Sequence, residues 1–127
     1  MTDQITLTMP RERQFLSVAH LVLGGVCIRL NLTIETLEDL QLALDAILER
    51  DRTGDDVTIS LRVAVDAIET EVGPLHDGVR RDLEKGSGGE EVGLRRILDT
   101  LVDAVDVEVR DDGHWVKLRK TVEGRES

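Results

Sequence analysis

Across residues 57–65 the chain sets Val57, Ile59, Leu61, Val63 and Val65 on alternate positions, with Thr58, Ser60 and Arg62 between them. A period of two sustained over nine residues fits a half-buried strand and cannot be laid on one face of a helix. The chain must therefore build a sheet with one wet face and one dry face. The dry face needs a second layer to cover it. Phe15 and Trp115 are the only aromatics, so the covering core is built from Leu, Val, Ile and Ala. With 127 residues there is room for one such core and not for two.

The covering elements are legible as changes of period. Ile5, Leu7 and Met9 alternate with Thr6 and Thr8 as a strand, which Pro10 ends. From Arg11 the period becomes helical, and Phe15, Val18, Ala19, Val22, Val26 and Leu30 form an apolar stripe. Asn31 suits the left-handed position that closes such a helix. Gly24 and Gly25 inside it cost about 1 kcal/mol each relative to alanine, and close packing against a neighbour is the expected reason. Thr33 N-caps a second helix, with Glu35 in its first turn and Leu37, Leu40, Leu44, Ile47 and Leu48 as the buried face. Glu38, Asp45 and Glu49 fall on its solvated side. The charged residues 50–56, with Gly54, are expected to form a surface loop.

After the long strand, a tight turn at Asp66 and Ala67 leads to a second one through Ile68, Thr70 and Val72. Gly73 and Pro74 are expected to break the sheet. Residues 75–85 suggest one short helix, and residues 86–89 (Gly-Ser-Gly-Gly) a hinge or lid. Leu94, Ile97, Leu98, Leu101 and Val102 mark a third long helix. Val105, Val107 and Val109 form a strand, Asp111, Asp112 and Gly113 a turn, and Val116 and Leu118 a closing strand. The fold expected is α+β, a two-layer α/β sandwich with three main helices on one face of a mostly antiparallel sheet. One domain spans residues 1–122, and residues 123–127 form a frayed tail.

The formal net charge is −10, with 26 acidic against 16 basic residues. Nucleic-acid phosphates and anionic membrane surfaces are therefore disfavoured as partners. Cys27 is the one cysteine, so no internal disulfide can form, and a cytoplasmic location is the natural reading. No basic stretch leads into an apolar run at the N-terminus. His20, His76 and His114 have no metal-ligand spacing. Ser17, Ser60 and Ser87 lack a nucleophile-elbow context, and Cys27, among Val26 and Ile28, reads as a buried inert thiol.

The order strand, helix, helix, hairpin, helix, hairpin resembles the bacterial anti-sigma factors and serine-protein kinases built on the histidine-kinase-like (GHKL) ATPase fold. The resemblance rests on the strand ending at Pro10, on Leu37-Glu38-Asp39-Leu40, on Val92-Gly93-Leu94, and on residues 98–103 before the Val105 strand. It implies a regulator of bacterial stress or sporulation transcription that often dimerises. In that family a Glu on the second helix acts as base and an Asn four residues on ligates Mg²⁺, neighbours on one helical face. Aligning on Glu38-Asp39-Leu40 puts Ala46 and Arg50 at those positions. Neither can do the work.

The family's adenine-binding Asp, two residues before a Gly, falls on Glu71 or on Pro74, with Gly73 beside them. Its glycine-rich phosphate motif survives as Gly93, with Gly88 and Gly89 upstream and Glu90 and Glu91 in between. Glu71, Gly73 and Gly93 are the nucleotide-site remnants. No cofactor is expected, and ATP with Mg²⁺ only if the site has been rebuilt.

The function expected is a degenerate, non-catalytic anti-sigma-like protein that captures a sigma factor or an anti-sigma-factor antagonist, with homodimerisation as a further expectation. Arg13, His20 and Trp115 are the candidate partner contacts. For Trp115, an exposed anchor beside Lys117 and Arg119 and a ring packed over a thin sheet edge weigh equally. The alternative is a divergent serine kinase with Asp45 or Glu49 as replacement base, although Asp45 lies about 100° around the helix from Ala46. A structural scaffold is the third reading.

Overall fold

The computed structural model describes residues 3–51, 56–84 and 93–122. Gly54, the glycine-rich residues 86–89, Glu90, Glu91, Val92 and the tail 123–127 lie outside the described residues.

β1 (Asp3–Pro10) leads through a single 3-10 turn (Arg13–Phe15) into α1 (Leu16–Arg29) and α2 (Ile34–Glu49). β2 (Asp56–Val63) and β3 (Ala67–Leu75) form a hairpin, followed by α3 (Asp77–Glu84) and α4 (Leu94–Leu101). β4 (Ala104–Arg110) and β5 (Gly113–Thr121) form the closing hairpin. The five strands make one antiparallel sheet in the order β1-β2-β3-β5-β4, as the two-layer reading requires. Among the described residues there are four α-helices, the short α3 falling where residues 75–85 suggest one, and α4 has only two turns.

The local signals behind these elements are visible in the bonds they make. Thr33 Oγ1 accepts the Thr36 N–H at 3.1 Å and caps α2. Asn31 adopts φ 59°. Around it Leu32 N–H bonds the Cys27 carbonyl at 2.8 Å and Asn31 N–H the Ile28 carbonyl at 3.1 Å, the paired bonds of a left-handed helix stop. Leu40, Leu44, Ile47 and Leu48 of α2 join Ala19, Leu23 and Val26 of α1 over Ile59, Leu61, Ile68, Val72, Val116 and Leu118 in one core. The opposite sheet face carries cross-strand ion pairs, among them Arg62–Glu69 at 3.6 Å and Lys117–Glu108 at 3.7 Å.

Four expectations are corrected here. The inward stripe of α1 keeps Phe15, Ala19, Val22, Val26 and Leu30 and gains Leu23 and Cys27, whereas Val18 faces water. Gly24 and Gly25 have open space around them, with nothing within 4 Å of a Cβ built on either, so close packing is not their reason. Val65 lies beyond the end of β2 and is 85% exposed. Gly73 and Pro74 do not break the sheet: β3 runs through a cis peptide between them to Leu75, and the register with β5 shifts between Val72 and Leu75.

Candidate functional site

α2 presents Leu42, Asp45, Ala46, Glu49 and Arg50 to α4, which answers with Arg96, Ile97, Thr100 and Leu101 across a groove of about 610 Å³. Positions 46 and 50 therefore share one face and one groove, as their four-residue spacing requires. Ala46 is a methyl group with no titratable atom. Arg50 folds back along its own helix, its Nη1 donating to the Ala46 carbonyl at 3.1 Å. A guanidinium cannot ligate a cation, so this face has neither a base nor a metal ligand at the two aligned positions.

Asp45 is not a free replacement for the base. Its Oδ1 lies 2.7 Å from His20 Nε2, so the carboxylate is drawn toward α1. That contact also fixes His20, whose backbone carbonyl accepts from Gln41 Nε2 at 3.4 Å. Glu49 stays on the exposed side of α2 and lines the groove.

Glu71 and Gly73 lie on the far face of the sheet, away from this groove. Glu71 pairs with Arg110, which also holds Glu108 at 2.8 Å. That bond and the Glu71 contact keep the Arg110 guanidinium firmly charged, and the Arg110 bond pulls the Glu108 carboxyl below its usual range. Gly73 lies under the indole of Trp115. Gly93 N-caps α4 in the extended region, with no side chain capping the first turn and no acid in it. The three remnants thus do not converge. Glu71 and Gly73 belong to one side of the sheet and Gly93 to the helix layer on the other.

Trp115 is only 8% exposed, which corrects its reading as an exposed anchor. It packs on an internal strand rather than an edge. Its Nε1 donates to Asp112 Oδ1 at 2.9 Å, and the Arg110 guanidinium sits 4.4 Å from its ring centroid. Arg13 is exposed beside a small cleft that Met9, Leu16, Leu48 and Val57 also line. Cys27 is buried, and burial pushes its thiol up, away from the reactive thiolate.

Sequence reasoning missed the ion pair at the end of α2. Asp51, assigned to a solvated loop, is buried and meets Arg11 at 3.1 Å, with side chains 1% and 5% exposed. Arg11 also donates from Nη2 to the Pro74 carbonyl at 2.5 Å, and the His76 N–H donates to Asp51 at 2.8 Å. Pro74, at one of the two aligned places for the adenine-binding Asp, therefore offers no carboxylate, and its carbonyl is already taken. A charged residue directly after Pro10 and another just past α2 were the available signal. Their separation of forty positions hid the pairing.

A second feature, absent from the expectations, is the outer face of α1. Leu21 and Ile28 are 76% and 81% exposed, with Gly24 and Gly25 between them and Val18 one turn before Leu21. This helix carries apolar residues on its outer as well as its inner face, and it lies beside β1, whose outer edge is unpaired. Leu21, Gly25 and Arg29 line a cleft of about 720 Å³ with Gln4, Ile5 and Val63. α1 carries no acidic residue in a chain of net charge −10. Among the described residues no helix is long and apolar enough to cross a membrane. No group of three His, Cys, Asp or Glu among them gathers to hold a metal.

No family model matches the chain. It is 26% identical over 141 aligned positions to the serine-protein kinase RsbW of Listeria innocua serovar 6a, covering 96% of this chain and 89% of that protein. The RsbW kinases of Listeria monocytogenes serotypes 4a and 4b match with the same identity and coverage. The likeness runs the length of both chains rather than over one motif. It supports the resemblance to the anti-sigma kinases at the level of the family.

Proposed function

We propose that this protein is a non-catalytic regulator of the anti-sigma type, which captures a protein partner and does not transfer phosphate to it. The observation that carries the reading is the α2 face. Ala46 and Arg50 occupy the positions of base and metal ligand, and Arg50 is bonded back to Ala46. The engagement of Asp45 by His20 and of the Pro74 carbonyl by Arg11 supports it from two further directions. General-base catalysis contributes roughly 10²–10⁴-fold, so losing base and metal together leaves little turnover.

By resemblance, the partner is a sigma factor or an antagonist of the anti-sigma factor. The surface best suited to hold a protein is the acid-free outer face of α1 with the free edge of β1, because its exposed Leu21 and Ile28 gain most from being covered. A second copy of the chain is a competing occupant of the same face, in line with the dimers the resemblance implies.

The test is phosphoryl transfer from γ-labelled ATP with Mg²⁺ to an antagonist domain, run beside co-purification with sigma factors. Capture without label transfer is expected, and capture is lost in Leu21→Glu and Ile28→Glu. Label on the antagonist at a rate above a no-protein control would overturn the reading.

A further inference from the structure

Acidic residues outnumber basic ones 26 to 16 in this chain, yet among the described residues none lines the cleft between α1 and β1. Ile5, Val22, Val26, Leu30 and Val63 make the cleft apolar, the exposed Leu21 rims it, and Gly25 adds no side chain to narrow it. Its volume of about 720 Å³ lies within the range of sites that take small organic ligands. Two polar residues remain. Gln4 donates from Nε2 to Ser60 Oγ at 2.9 Å. Arg29 is exposed in the last turn of α1 and meets no partner among the described residues. It is not needed to close the helix, because the amides of Leu30, Asn31 and Leu32 already bond the Val26, Ile28 and Cys27 carbonyls.

We infer that this cleft binds a free fatty acid, its hydrocarbon chain against the apolar walls and its carboxylate paired with Arg29. Each methylene that the walls cover adds to affinity. A guanidinium meets a carboxylate with paired N–H donors, a geometry that an alcohol or an amine cannot use. A cationic amphiphile is drawn to the chain as a whole by its net charge of −10 but is repelled by Arg29 at the cleft. The same net charge opposes an anionic bilayer, so the ligand is the free acid and not a phospholipid in a membrane. The negative end of the α1 dipole lies beside Arg29 and limits how tightly the carboxylate is held. Leu21 borders both the cleft and the face proposed for capture, so ligand and captured partner compete for it. The site itself goes beyond capture and holds whether or not a protein docks there.

The test is isothermal titration of the full chain, without a partner protein, with hexanoate, octanoate and decanoate below their micelle concentrations, and with octanol and octylammonium. One equivalent of each acid is expected, with affinity rising roughly twofold to fourfold per methylene and octylammonium weaker than octanoate. Arg29→Gln weakens octanoate by roughly threefold to tenfold and leaves octanol unchanged. Gly25→Leu fills the cleft and loses both ligands. Arg29 is exposed and a Cβ on Gly25 meets nothing within 4 Å, so circular dichroism of both variants stays that of the parent. Arg29→Gln with its octanol control carries the test by itself should Gly25→Leu fail to fold. No heat with decanoate, octylammonium bound as tightly as octanoate, or octanoate binding unchanged in Arg29→Gln overturns the inference. So does uptake by phosphatidylglycerol vesicles without uptake of the free acid. A dimer in sedimentation that takes up no octanoate also overturns it and gives the cleft to a second copy. None of these outcomes touches the non-catalytic reading, which phosphoryl transfer tests separately.

Discussion

The indole of Trp115 lies so close over Gly73 that a Cβ built on the glycine would sit 2.4 Å from Trp115 Cδ2. The rest of the ring is held by Asp112 below its nitrogen and by Arg110 across its face. Gly73→Ala should therefore destabilise by about 1–3 kcal/mol, the usual cost of forcing atoms into a filled site. Urea denaturation measures it. Trp115→Leu in the same background should recover part of the loss, because the clashing ring is gone; strict additivity of the two substitutions would show that they do not meet.

Arg11 and Asp51 are both buried, so removing one leaves the other charged and unpaired. Asp51→Ala should cost about 3–5 kcal/mol, a large part of the ~5–15 kcal/mol that holds a domain together. The double variant Arg11→Met with Asp51→Leu should be more stable than either single loss. A double variant as unstable as the sum of its parts would show that the two charges are not coupled.

Gly24→Ala and Gly25→Ala should each stabilise the isolated protein by roughly 0.5–1 kcal/mol, since helix propensity improves and the space is open. Thermal unfolding reads the gain. If either lowers the melting temperature instead, something covers this face of α1 in solution, and sedimentation will show whether it is a second copy.

Asp103 accepts the Thr121 backbone N–H at 2.6 Å, and that bond, with Lys120 and Arg119 nearby, holds its carboxyl below the ordinary range. A depressed carboxylate stabilises the fold above its unfolded pKa of about 3.9. The contribution is lost as pH falls below that value through the lower folded one. Asp103 is exposed, so the effect is small. Asp103→Asn should flatten the stability curve only in this acid window and leave its shape near neutrality unchanged.

How much of this was legible in the chain follows from the range of the forces involved. The alternation of residues 57–63, the cap at Thr33, the helix stop at Asn31 and the aliphatic face of α2 are local, and each sits where the sequence puts it. The four-residue spacing of Ala46 and Arg50 likewise fixed their shared face before any fold was known. What the chain could not announce were encounters between distant residues. The burial of Asp51 depends on Arg11, forty positions away, and the burial of Trp115 on a glycine that leaves room for its ring. The outer face of α1 belongs with these. A helix with apolar residues on two faces signals that it will be covered, but only the position of α1 beside the free edge of β1 leaves Leu21 and Ile28 in water. Period and propensity act within a few residues and are written in the sequence. Charge neutralisation, close approach and exposure are settled when the layers meet, because only then does each side chain acquire its neighbours.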